Sequence, residues 1–120
     1  MTVPTISHIE WFVIDLNRSV AFLNGLFGWQ FEVFSEHYRL YTPESGPRVG
    51  LMEVAAIKPC EATFGYVTVD DIERYLQRAE QLGGCVVTGR SEIPNYGWYA
   101  QIADPDGNRV GLFQAWISQQ

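Results

Sequence analysis

The sequence predicts an α+β fold of two tandem βαβββ units, and three observations predict it. The tetrapeptide Arg-Val-Gly-Leu occurs twice, at Arg48–Leu51 and at Arg109–Leu112. Each copy follows a proline-containing turn, Thr42-Pro43-Glu44-Ser45-Gly46-Pro47 before the first and Asp104-Pro105-Asp106-Gly107-Asn108 before the second. Upstream, Val13-Ile14-Asp15-Leu16-Asn17-Arg18 aligns with Val69-Asp70-Asp71-Ile72-Glu73-Arg74. Matched segments in the same order are the mark of a duplicated supersecondary unit. The expected units run over about 6–56 and about 62–117, as halves of a single domain spanning residues 1–120.

Each element has a local reason. Ile6–Ile14 is rich in β-branched and aromatic residues and alternates, with Ile9, Trp11 and Val13 on one face and His8, Glu10, Phe12 and Ile14 on the other. Asp15 is an N-cap residue, and Leu16, Val20, Leu23 and Phe27 then recur at helical spacing, predicting a helix over Asn17–Phe27 that ends near Gly28. Short strands follow at Phe31–Phe34, Tyr38–Tyr41 and Val49–Val54. The second half repeats the order: a strand at Phe64–Val69, a helix over Asp71–Leu82 closed by Gly83-Gly84, and strands at Cys85–Thr88, Trp98–Ala103 and Arg109–Phe113. In each opening strand the apolar face is expected under its helix. The other face, with His8, Glu10 and Phe12 in one unit and Phe64, Tyr66 and Thr68 in the other, is left to line a concave surface.

Composition removes several functions. With 47% hydrophobic residues the chain builds a real core. A net charge of −6 and a pI near 4.7 argue against a nucleic-acid partner, which needs a face of Lys and Arg. No apolar run has the length of a bilayer span and no secretory signal pattern opens the chain, so the expectation is a cytoplasmic protein with no membrane partner. Cys60 and Cys85 lack metal-type spacing and are expected as free thiols.

The two units, the opening SHIEWFVIDLNRSVAFLNGLFGW and the closing ADPDGNRVGLFQ together resemble the vicinal oxygen chelate superfamily, which includes glyoxalase I, extradiol dioxygenases and the bleomycin resistance proteins. The likeness covers His8 to Gln114. It implies a curled, cup-like mixed sheet with helices outside, a site inside the cup, and a homodimer. It also implies a divalent metal held by one first-strand and one last-strand side chain from each unit. Carried over residue by residue, those positions are His8, Gly50, Phe64 and Gly111. Only His8 offers a donor, and a single imidazole does not hold a divalent ion against hydration. Glu10 shares the face of His8, whereas Glu53 and Gln114, three residues beyond the glycines, point the other way. The expectation is therefore no metal and no other cofactor.

What remains is aromatic. Phe12, Phe64, Tyr66 and Phe113 fall on the concave faces, Gly50 and Gly111 are expected to leave space beside them, and Tyr96 and Trp98 flank Gly97 as a rim. The rings equally suit a packed core, and spacing alone favours Glu10 in an ion pair with Arg39, Arg48 or Arg109 and His8 as a satisfied interior residue. The reading adopted is a metal-free member of the superfamily that binds a small, flat or partly apolar organic molecule in the cleft between its units, through His8, Glu10, Phe12, Phe64, Tyr66, Tyr96, Trp98 and Phe113. The rival is an enzyme, a glyoxalase-like lyase or isomerase or a dioxygenase, with a non-standard metal site or with His8 and Glu10 as catalytic acid and base.

Overall fold

A computed structural model describes residues 3–58, 61 and 63–116. Its elements run β1 (Ile6–Val13), α1 (Leu16–Phe27), β2 (Glu32–Ser35), β3 (Tyr38–Tyr41), β4 (Arg48–Glu53), β5 (Thr63–Thr68), α2 (Ile72–Gln81), β6 (Cys85–Ile93), β7 (Gly97–Ala103) and β8 (Arg109–Ala115). This is βαβββ twice, an α+β fold. The chain divides into two compact units, an N-terminal one of Ser7–Phe64 and a C-terminal one of Gly65–Gln120 with Met1–Ile6.

In the N-terminal unit the strands lie in the order β2-β3-β4-β1, with β1 parallel to β4 and the other pairs antiparallel. Asp15 caps α1 by accepting from the Arg18 N–H, and Gly28 ends it at φ 75°, a left-handed conformation that glycine adopts without penalty. Leu16 and Leu23 of the helix pack on Val49 and Leu51 of β4, with Trp11, Val13, Val20, Trp29, Phe31 and Tyr41 around them. The face carrying Trp11 and Val13 is thus the helix-covered one, as strand alternation requires.

The C-terminal unit repeats the plan as β5-β8-β7-β6, with β5 parallel to β8. Asp71 caps α2 through the Arg74 N–H, and Gly83 follows the helix at φ 97°. Ile72 and Leu76 pack on Val69, Ala100 and Leu112, with Val67, Tyr75, Val86, Trp98 and Ile102 alongside. Both Arg-Val-Gly-Leu segments lie in the last strand of their unit, parallel to its first.

Two element bounds differ from expectation in a way that bears on function. β6 continues to Ile93 and not to Thr88, because register shifts against β7 let the strand bend and stay paired. The Ile93–Trp98 segment is consequently a tight hairpin turn: Tyr96 N–H bonds to Ile93 O, and Asn95 sits at φ 71°. Cys85 is an exposed free thiol, and Cys60 lies outside the described residues.

Candidate functional site

On the face of the N-terminal unit away from α1, register places side chains in rows. Glu10 pairs with Gly50, which pairs with Leu40, while His8 pairs with Arg48 and Tyr38 with Met52. Paired residues of neighbouring strands share a face, so His8, Glu10, Tyr38 and Gly50 converge. A Cβ built on Gly50 would overlap the Tyr38 hydroxyl and ring and lie 2.8 Å from His8 Nε2. The space expected over Gly50 is therefore not open: the Tyr38 phenol lies in it. The same correction holds for Gly111, whose Cβ would press into the Tyr66 ring, 2.8 Å from its Cγ. Glycine at these positions lets a ring lie flat on the sheet.

Tyr38 links the two polar residues. Its hydroxyl donates to Glu10 Oε1 at 2.8 Å and stands 2.8 Å from His8 Nε2. With the phenol's single proton directed at Glu10, the imidazole presents Nε2–H to the phenolic oxygen, and Nδ1 carries the lone pair. Glu10 is buried, only 8% exposed. Burial raises its carboxyl above the usual carboxylate range, against the Tyr38 hydrogen bond, which pulls it down. Burial, reinforced by the nearby Arg48 guanidinium, lowers His8 from 6.5 to about 4. His8 is accordingly neutral at pH 7. Glu10 is held by the Tyr38 phenol and not by the arginine that simple charge matching offers.

Glu53 and Gln114 point away from this face, and each closes a helix. Glu53 Oε2 accepts from Leu16 N–H at 3.5 Å, and Gln114 Oε1 accepts from Ile72 N–H at 2.8 Å, in each case the first residue of the helix. Glu53 also holds His37 Nδ1 at 3.0 Å, which lowers the carboxyl and raises the imidazole.

The aromatic candidates divide. Phe12 stands on the His8 face opposite Met52. Phe64 is buried in β5, and Tyr66 and Phe113 lie on the face of the C-terminal unit away from α2, beside Gly111. Tyr96 is exposed in the β6–β7 turn. Trp98 is elsewhere: it pairs with Gln114, on the helix-covered face, packs on the α2 core and carries the Arg90 guanidinium 4.5 Å over its ring. Parity explains the misplacement. In β7, Trp98 shares the side of Ala100 and not that of Tyr99. Sequence reasoning missed Tyr38, because the glycine that admits it lies 12 residues away in β4 and only the β3–β4 register brings them together.

Among the described residues no group of three or more His, Cys, Asp or Glu side chains is arranged to hold a metal ion. The family's donor positions do not fit one: Gly50 and Gly111 are overlain by tyrosine rings, and Phe64 has no donor atom. No helix among these residues is long and apolar enough to cross a membrane.

The chain belongs to the Glyoxalase/Bleomycin resistance protein/Dioxygenase superfamily, which it matches over residues 5–112. No curated protein matches it. Among solved structures it is similar to methylmalonyl-CoA epimerase from Mycobacterium tuberculosis, at 15% identity and a TM-score of 0.72 over 92% of this chain and 87% of that one. It is also similar to a glyoxalase/bleomycin resistance protein/dioxygenase superfamily member from Vibrio splendidus, at 19% identity and a TM-score of 0.67 over 93% and 99%. A Streptomyces coelicolor methylmalonyl-CoA epimerase in complex with 2-nitronate-propionyl-CoA aligns at 16% identity and a TM-score of 0.71 over 97% of each chain. Identities this low carry the fold and nothing finer.

Proposed function

We propose that the protein binds a small, partly apolar organic molecule without a metal ion, at the face of its N-terminal unit that carries His8, Glu10, Phe12 and Tyr38. The observation that carries this reading is the Tyr38 phenol over Gly50. It stands where the superfamily's last-strand donor would be, and it engages the Nε2 of the one donor residue that remains, His8. The resulting His8–Tyr38–Glu10 chain offers fixed polar groups beside apolar surface, the composition of an organic-ligand site. Tyr66 and Phe113 give the C-terminal unit a matching aromatic character. A cytoplasmic homodimer is the proposed working state, on the strength of the family resemblance.

Elemental analysis with native mass spectrometry, on protein purified without chelator, tests the metal-free part. The expected result is no divalent ion at stoichiometric level. An ion bound through His8 and two other protein groups would reverse the reading. A fluorescence screen with flat aromatic compounds tests the binding part, and Tyr38→Phe should weaken any hit.

One observation favours a catalytic second reading. A neutral imidazole hydrogen-bonded through a phenol to a buried carboxyl is a competent general base with a proton relay behind it. The likeness to methylmalonyl-CoA epimerases makes acyl-CoA thioesters the first compounds to try. Deuterium uptake at the α-carbon in D2O, abolished by His8→Gln, would establish this reading, and its absence across a thioester panel would leave binding alone.

A further inference from the structure

The two helices carry different chemistry at matched positions, and the difference opens a cavity under one of them. From the alignment of Asp15 with Asp71, Arg18 matches Arg74, Ser19 matches Tyr75 and Ile14 matches Asp70. On α2 the Arg74 guanidinium bonds to Asp70 at 2.6 Å and lies 5.3 Å over the Tyr75 ring, while Tyr75 itself packs on the core. On α1 both partners are gone. Ile14 cannot pair with a cation, and among the described residues Arg18 has no ion-pair partner. Ser19 is too small to fill the place that Tyr75 fills. What results is an open pocket of about 400 Å³ lined by Trp11, Val13, Ser19, Phe22, Leu23 and Leu51, with Arg18 at its edge. It lies on the helix-covered side of β1 and β4, away from the face that carries His8 and Glu10.

We propose that this pocket is a binding site for a small amphipathic carboxylate, with the apolar body under α1 and the carboxylate on Arg18. The volume falls in the range of small-molecule sites. Its walls are apolar and aromatic, which suits a ring or short chain. An unpaired guanidinium prefers a carboxylate, which it takes by two parallel hydrogen bonds, and Ser19 adds a hydroxyl to the same lining. A neutral ligand of the same shape would leave the guanidinium facing only water.

The test is a titration of the isotope-labelled full chain with phenylacetate and with phenylacetamide, followed by the Trp11 indole N–H signal. Phenylacetate is expected to shift that signal saturably in the millimolar range, with the amide at least about tenfold weaker, the usual effect of losing a charge-assisted bond. Arg18→Ala should bring phenylacetate down to the level of the amide. Ser19→Tyr, which restores the residue found on α2, should abolish both. The proposal is overturned if phenylacetate leaves the Trp11 signal in place, if binding survives Ser19→Tyr, or if Arg18→Ala leaves the affinity unchanged. Should Ser19→Tyr fail to fold, Arg18→Ala still decides, since that side chain is exposed. Signals of His8 and Tyr38 report the other site, so failure here and failure there are separately visible.

Discussion

The N-terminal unit and the C-terminal unit share an element order and a register, yet they resolve the same glycine in opposite ways. Gly50 and Gly111 hold the same place in β4 and β8, each beside the residue two positions beyond His8 or Phe64. In the C-terminal unit that neighbour is Tyr66, whose ring covers Gly111. In the N-terminal unit it is Glu10, too short and too polar to cover a glycine, and the ring comes instead from Tyr38 on β3. Tyr99 occupies the register position of Tyr38 in the other unit, opposite Phe113 where Tyr38 is opposite Met52. One scaffold therefore gives an aromatic patch in one unit and a part-buried polar chain in the other. The helices diverge similarly, with α2 filled by Tyr75 and α1 left with Ser19 over a pocket. The lesson is that chemistry here follows which neighbour fills a shared gap.

The largest effect should come from the cores. Ile72→Ala removes a fully buried side chain and should cost about 2–5 kcal/mol in denaturant unfolding. Leu23→Ala, which borders the pocket under α1, should cost less, because part of its surround is already empty. Equal costs would erase the distinction between the helices.

Next are the glycines. Gly111→Leu must displace the Tyr66 ring and should destabilise by about 1–3 kcal/mol, and Gly50→Leu should do likewise through Tyr38. In a Tyr66→Ala background Gly111→Leu should cost much less, a coupling that a thermal-melt double-mutant cycle reads directly.

Of similar size is Tyr38→Phe. It leaves the buried Glu10 carboxyl without its hydroxyl donor, at about 1–3 kcal/mol, whereas Tyr99→Phe should be near neutral if the polar chain belongs to one unit alone.

A further effect is in pH dependence. Unfolded His8 takes a proton near 6.5 and folded His8 near 4, so acidification through that window favours the unfolded chain. Glu10 acts in the opposite sense: its raised carboxyl stabilises the fold below the unfolded value of 4.5, and that contribution is lost as pH rises through the folded value. His8→Gln removes only the first term. Between pH 6.5 and 4 the wild type should lose more stability than the variant, as measured by unfolding at a series of pH values.

The fold was legible because it is written in local chemistry. Asp15 and Asp71 as caps, the glycines after each helix and the repeated Arg-Val-Gly-Leu strand placed every element to within a few residues, β6 excepted. The face of His8 and Glu10 followed from alternation alone. What alternation cannot supply is how strands slide against one another. Tyr38 meets Gly50, His8 and Glu10 only through the β3–β4 and β1–β4 registers, and nothing between residues 38 and 50 announces the contact. Trp98 flanks Gly97, which suggests a rim, but its parity is that of Ala100, and so it faces the helix. The space expected over Gly50 and Gly111 is filled because a glycine's missing side chain admits a neighbouring ring, Tyr38 or Tyr66.

His8 is held by Tyr38 as a neutral imidazole, and nitrogen-15 NMR of the histidine rings across pH tests that most directly. The His8 ring should show the Nε2–H tautomer at pH 7 and titrate near 4, and Tyr38→Phe should disturb both without unfolding the chain. A His8 that titrates near 6.5, protonates at Nδ1 when neutral, or shows the shifts of a metal-bound ring would contradict it.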